Sequence, residues 1–432
     1  MIYLIISVIF LLALKKWNSI ARILFALLAF TSGTAYLVGR QYEAFNTTSI
    51  LYALYTVLIL VILFLSFRKY VNLVGIDDSK INTVKLREIE RVLEVIGVIA
   101  LLINLYILYR IFPLLAAEQI NVQEYKNEGG AYDVIDQFIP HIFVTFSNLV
   151  SAVGYFFLPM HFYYLYKRRT KKSIFYLILS LIVILSRMIS LSRSSSVEFL
   201  IAYAILFLFV SPILGKKVLR NVTIVVVSFS AVIVMALAII SESRFSGYYT
   251  KNSKQEAILD ERQSPVLFSA IDYFTQWEEW GEYVLNRYKP EYCAYGTNGF
   301  GGIYKMIEQK IVGTEVLKER QKKLELSRGD GASSFTGLVA DLVVDFGFIG
   351  AFIFALLFNR LMNSVGPKKR YLPFSTLLYL PIILTVIGLF WAGNVFGSFS
   401  IEAGVLYNFI IYKFIRKRPL RRPVVIQTVP NN

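Results

Sequence analysis

The stretch "SIFYLILSLIVILSRMISLSRSSSVEFLIAYAILFLFVSPIL", residues 173–214, decides the fold. Two apolar runs, each close to the ~20 residues an α-helix needs to cross ~30 Å of hydrocarbon, flank a polar insert carrying Arg187, Arg193, serines and Glu198. Lipid offers no partner for backbone amides, so such runs cross it as helices. The whole chain repeats this pattern: 56% hydrophobic, 15% aromatic and 17% charged residues, with a mean hydropathy of +0.57, where soluble domains carry about 25% charge. An all-α polytopic membrane protein follows. An arginine near mid-bilayer costs roughly 2.5–3.5 kcal/mol on insertion scales, so the insert raises the question of what Arg187 and Arg193 hold.

Apolar runs predict eleven spans, near 2–14, 23–39, 48–67, 92–113, 141–166, 173–190, 196–214, 222–242, 336–359, 371–392 and 396–415. The first, "MIYLIISVIFLLAL", has neither a basic leader region nor a small-residue cleavage site and is read as a span. The organisation predicted is a bundle of eight spans over 1–242, a large outer loop over 243–335, three spans over 336–415 and a basic tail over 416–432. Six basic segments (15–22, 68–91, 167–172, 216–220, 360–370 and 413–422) fall on one side of such an arrangement. By the positive-inside rule that side is cytoplasmic, with the N-terminus outside. The net charge of +16 is then a topology signal that also attracts anionic membrane lipid; a nucleic-acid surface would require one basic face on a soluble domain.

Two outer segments remain, about 114–140 and 243–335. Loops beyond 12–15 residues are usually functional or disordered, and the second is rich in Trp, Tyr and Gly rather than low in complexity, which predicts that it folds. Within it, 264–290 reads as a helix with Phe268, Ile271, Phe274, Val284 and Leu285 as its apolar positions, stopped by Pro290; 301–313 is a second candidate. The intervening "YGTNGFGG" (295–302) lacks the spacing of a phosphate loop and no strand precedes it, so it reads as a turn that lets backbone pass close to the membrane surface. "DFG" (345–347) stands in an apolar run without the other kinase signatures. A single cysteine, Cys293, makes no internal disulfide. His141 and His161 cannot by themselves form a coordination shell, and no compact carboxylate cluster is evident, so metal-free chemistry is expected.

Residues 187–196 are expected at the outer leaflet. One reading has both arginines snorkel to the headgroups, with Ser195 and Glu198 forming a capping box for the next helix. The other joins the guanidiniums to the free amides of that helix start as an outward-facing anion site, for which arginine's planar, permanently charged fork is suited. Arg244, at the same level, strengthens the second reading, though pairing with Glu242 is the alternative. "LSRGDGASSFTGLVADLVVDFGFIGAF" (326–352) returns to the bilayer with Arg328, Asp330, Asp341 and Asp345. The last two lie one helical turn apart on a shared face and require a polar interior; bonding to a neighbouring helix or a loop amide competes with catalysis.

The run "SSFTGLVADLVVDFGFIGAFIF" (333–354), with "YGTNGFGGIYKMI" (295–307) before it and "SRSSS" (192–196) in mid-chain, resembles bacterial oligosaccharide repeat-unit polymerases of the Wzy family. The three pieces cover about a fifth of the chain, and their order and the loop's position agree with it. The resemblance implies a GT-C-like, metal-independent glycosyltransferase with no cofactor at the outer face of a bacterial inner membrane. Its substrates would be undecaprenyl-diphosphate-linked oligosaccharides: the growing O-antigen or capsule chain moves as a block from its lipid diphosphate to a new lipid-linked unit. It further implies Arg193 and Arg244, and less directly Arg187 and Arg328, as the grip on the diphosphate. A carboxylate base would come from Glu242, Asp330 or Asp341, and a chain-length regulator would share the membrane. Tyr248, Tyr249, Trp277, Trp280 and Tyr304 are candidate stacking platforms for sugar rings, with loop packing as their alternative use.

Two other activities compete. An O-antigen ligase would share the layout but rely on a histidine in the outer loop, which this loop lacks. A flippase or transporter of lipid-linked oligosaccharide would be expected to show internal repeats, broken helices and short loops.

Overall fold

The computed structural model describes residues 2–14, 19–37, 47–116, 139–189, 194–216, 218–224, 227, 265–299, 302, 336–393 and 398–417. Among these the α-helices are α1 (Ile2–Ala13), α2 (Ile20–Leu37), α3 (Thr47–Leu65), α4 (Thr83–Ala116), α5 (His141–Ser151), α6 (Gly154–Tyr166), α7 (Thr170–Ser180), α8 (Ile182–Met188), α9 (Ser194–Val210), α10 (Pro265–Arg287), α11 (Leu338–Val365), α12 (Phe374–Gly388) and α13 (Phe399–Ile415). Four stretches, Ile20–Leu37, Thr83–Ile111, Ser196–Ile213 and Leu338–Val365, are long and apolar enough to cross a membrane, and α5 with α6 make a fifth if counted as one bent span. The expected run 222–242 falls largely outside the described residues.

Three runs expected as single helices are broken. The 141–166 run bends by 45° between α5 and α6, where Val153 N–H bonds Val150 O and Phe156 N–H bonds Val153 O in tight i→i−3 turns. The 173–190 run divides at Leu181. In α11 the helix is interrupted at Gly347, whose φ of +69° is in the left-handed region, a conformation glycine adopts without steric cost. Apolar periodicity counts residues and is blind to such breaks, which come from tertiary packing.

The connecting loops at one end are stitched together by backbone. Strands β1 (Gly75–Asp77) and β2 (Tyr371–Pro373), not foreseen from the sequence, pair in parallel with Gly75 opposite Tyr371. Ile20 N–H bonds Tyr70 O at 3.2 Å, Asn82 N–H bonds Ile415 O at 2.8 Å and Lys417 N–H bonds Lys80 O at 2.9 Å, while Lys167 Nζ pairs with Asp78 at 2.8 Å. The basic stretches around 68–82, 167–170, 366–373 and 413–417 therefore share one end of the bundle. The start of α4 packs against this end region: its buried Glu90 accepts from Lys172 Nζ at 2.6 Å and Tyr164 OH at 2.5 Å, so the charge is not left alone in an apolar setting.

Between the ends lies an aromatic and aliphatic core. Phe25 meets Phe64 edge-on at 5.2 Å and Phe64 meets Phe390 at 5.5 Å. Polar side chains within it tie helices together, as expected where every buried donor needs a partner: Ser147 Oγ donates to Asn104 Oδ1 at 2.8 Å and Asn408 Nδ2 to Leu378 O at 2.9 Å. His161 belongs to this class, with its ring nitrogens at 2.9 Å from Ser173 O and 3.0 Å from Tyr203 OH. At the end away from the basic loops, α10 packs against α2, α3 and α11.

Candidate functional site

The end opposite the basic loops gathers polar groups from chain segments far apart in sequence. Arg187 leaves the last turn of α8 and its Nη1 reaches Glu198 Oε2 on α9 at 3.3 Å. Its Nη2 donates to Ser398 Oγ and, at 2.7 Å, to Ser400 Oγ at the start of α13. Glu198 thus pairs across to the preceding helix, a use beyond the expected capping box. The pair is largely enclosed, with side-chain exposures of 20% and 7%, so Arg187 ties three helices rather than snorkelling.

The glycine-bearing turn is fastened to the break in α11. Asp345, 1% exposed, accepts Asn298 N–H at 2.9 Å and Gly299 N–H at 2.6 Å through its two carboxylate oxygens. Its backbone carbonyl takes Cys293 Sγ–H at 3.2 Å. A Cβ on Gly299 would lie 2.5 Å from Asp345 Oδ2, so this position needs glycine for close approach. Further along, Gly302 N–H donates to Glu402 Oε1 on α13 at 3.0 Å. Of the two uses weighed for the carboxylates of α11, bonding to loop amides is the one Asp345 has.

Asp341, one turn earlier and 4% exposed, accepts from Thr336 Oγ1 at 3.0 Å. Trp277 was a candidate sugar platform, but its ring is 3% exposed and packs edge-on to Tyr3 at 5.1 Å and Phe390 at 5.4 Å. It has no free face to offer a sugar, because α10 turns this position into the bundle. Trp280 is half-buried and meets Tyr283 edge-on at 5.5 Å. Arg193, Glu242, Arg244, Tyr248, Tyr249, Tyr304, Arg328 and Asp330 lie outside the described residues.

Glu278 and Glu282 are not among the residues expected from the sequence. They are four residues apart on α10, hence on one face, and that face also carries Trp277, Gly281 and Leu285. All five line a pocket of about 10 Å³ with Tyr3, Thr56, Thr336 and Gly337, room for about one water. Trp277 Nε1 completes no hydrogen bond, and the Ser32 hydroxyl faces the Glu278 carboxyl. Desolvation pushes both carboxyls up from the ordinary range to about 7; for Glu278 the neighbouring Glu282 adds to the rise, while Ser32 and the amino-terminal charge oppose it. Two carboxylates on the otherwise apolar face of "FTQWEEWGEYVL" were the available signal.

Below this end, α11, α12 and α13 enclose an apolar cavity of about 350 Å³ bordered by Phe358, Ile383, Val386, Ile387, Ile401 and Glu402. Among the described residues no group of three or more His, Cys, Asp or Glu side chains is placed to hold a metal ion. Chemically, the arrangement offers an enclosed guanidinium, carboxyls poised near neutrality, a pinned glycine turn and an apolar slot beneath. Comparison of the chain with protein families, with curated proteins and with solved structures yields no match.

Proposed function

We propose that this chain is a membrane-embedded glycosyltransferase that polymerises lipid-diphosphate-linked oligosaccharide repeat units, of the Wzy type, working at the outer face of a bacterial inner membrane with eleven spans and a cytoplasmic C-terminus. The observation that carries the reading is the gathering of Arg187, Glu198, the 294–299 turn with Gly302, Glu402 and the α10 acids at the end opposite the basic loops. A lipid diphosphate leaving group needs preorganised positive charge where it departs, and Arg193 and Arg244 are assigned that task, with Arg187 tying α8 to α9 and α13. The apolar cavity beneath suits a polyprenyl tail. An acceptor hydroxyl attacks the anomeric carbon of the donor, the bond to the diphosphate breaks, and the hydroxyl proton passes to a carboxylate. Glu242, Asp330 and Asp341 remain the candidates for that base, joined by Glu278.

Removing the gene and separating the surface glycan on a gel tests the proposal. A polymerase leaves core capped with one repeat unit, and reintroduced Arg193→Ala or Arg244→Ala protein should insert in the membrane yet fail to restore long chains. Long chains from either variant would remove the diphosphate grip. A transporter of the same lipid-linked sugars is the second reading, favoured by the breaks at 152–153 and Gly347, since transporters place substrates at discontinuous helices; its loss should leave neither extended nor capped product.

A further inference from the structure

At the basic end, a cavity of about 220 Å³ opens between the last turn of α11, the start of α12, strand β1 and the last turns of α13. Its polar wall is Lys80, Lys368, Ser375 and Tyr412, with Asp77 beside them, and its apolar wall is made by Ile81, Val365 and Phe374. We propose that this cavity binds the phosphodiester of an anionic membrane lipid, seating the phosphate between Lys80 and Lys368 and the first methylenes of the chains against the apolar wall.

Charge and geometry carry the assignment. Neither Lys368 nor Lys80 makes a side-chain hydrogen bond or ion pair among the described residues, and Lys80 lies in the field of Asp77. Four other cations at this end are engaged: Lys167 with Asp78, Lys172 with Glu90, Arg370 with Asn72 O and Lys417 with Ser79 O. Hydrogen bonding from Ser79 holds Asp77 below the usual carboxylate range, so it is ionised. Two lysines against one carboxylate leave a single positive charge at the wall, which matches a phosphodiester monoanion better than a doubly charged phosphomonoester. Helix α12 begins at this wall, and no side chain caps its first turn, so its positive dipole end also favours an anion. The parallel β1–β2 pairing fixes the two lysine-bearing loops against each other, so the site is held before a lipid arrives. A wall half polar and half apolar, at the end of membrane-length helices, selects an amphiphile over a soluble anion.

The test is native mass spectrometry of the full chain released from detergent, titrated with phosphatidylglycerol, phosphatidylcholine or inorganic phosphate. The wild type should retain phosphatidylglycerol and not phosphatidylcholine. Lys80→Gln with Lys368→Gln should weaken that retention about thirtyfold, from the usual contribution of a lysine near an anionic headgroup. Lys171→Gln with Lys216→Gln, the same charge change outside the cavity, should leave it unaltered. Ser375→Glu, which puts a negative charge into the cavity without touching either lysine, should also abolish retention. Equal loss in the Lys171/Lys216 control would overturn the site in favour of diffuse surface attraction. Displacement of the lipid by millimolar inorganic phosphate would overturn the lipid as its source.

Discussion

Glu278→Gln tests whether the acids of α10 are held against the apolar bundle. The carboxyl is raised from 4.5 to about 7, roughly 2.5 units, or about 3 kcal/mol of preference for the neutral form. The sign follows from proton linkage. Below pH 4.5 folded and unfolded chains both carry the proton, so Glu278 contributes no pH-dependent difference. As pH rises from 4.5 to 7 the folded state must keep a proton that the unfolded chain has lost, so stability falls by up to about 3 kcal/mol, and above 7, where both states are ionised, the loss levels off. An amide of the same shape never ionises, so it escapes that penalty. The variant should therefore match the wild type at pH 4.5 and exceed it at pH 8. Thermal unfolding of the detergent-purified protein across this range, followed by tryptophan fluorescence, measures the gap. A gap independent of pH, or a variant less stable than wild type at pH 8, would refute the reasoning.

Arg187→Ala should destabilise by about 3–5 kcal/mol, the usual result of leaving a buried partner unpaired, because Glu198 is 6% exposed; Glu198→Gln in the same chain should restore most of the loss in a double-mutant thermal cycle. Asp345→Asn leaves a neutral oxygen for one amide and sets an NH2 against the other, where the carboxylate makes charge-assisted bonds worth about 1.5–3 kcal/mol each, so hydrogen exchange at the Asn298 and Gly299 amides should quicken while the core of α11 stays protected. Gly299→Ala forces a Cβ to within 2.5 Å of Asp345 Oδ2, an overpacking cost of about 1–3 kcal/mol, and limited proteolysis should cut near residues 293–302 sooner.

The helical class and the clustering of basic loops were legible because lipid permits few solutions: an apolar run must become a helix, and its flanking lysines mark an end. The breaks at 152–153, at Leu181 and at Gly347 were not legible, since hydropathy sums over a window and each break is made by a neighbour or a torsion that leaves the sum unchanged. The shared face of Asp341 and Asp345 was read correctly, but not that Asp345 points at the amides of Asn298 and Gly299, some 46 residues earlier in the chain. Of the two uses open to Trp277, packing is the one it has, and the sequence could not separate them because an aromatic ring has the same composition signal whether it faces a sugar or a core. The partner of Arg187 was present in the sequence as Glu198, eleven residues on, yet its spacing from Ser195 drew attention to a cap within one helix instead of a tie between two.

The fastening of the turn at 294–299 also constrains how an anion could be recognised there. Asp345 and Glu402 already accept the amides of Asn298, Gly299 and Gly302, so a diphosphate approaching this turn meets carboxylates where a phosphate loop would present free N–H groups. Recognition must then fall on guanidiniums, whose forks match phosphate oxygens in pairs. Under the proposed function, Arg193→Ala and Arg244→Ala should sharply reduce retention of a polyprenyl diphosphate by the purified chain, while Asp345→Asn should loosen the turn without lowering that retention. Lysine at 193 or 244 should recover only part of it, because a point charge loses the paired geometry. Native mass spectrometry with a short-chain polyprenyl diphosphate distinguishes the outcomes: a loss in Asp345→Asn as large as in the arginine variants would mean that the turn, and not the arginines, carries the phosphate.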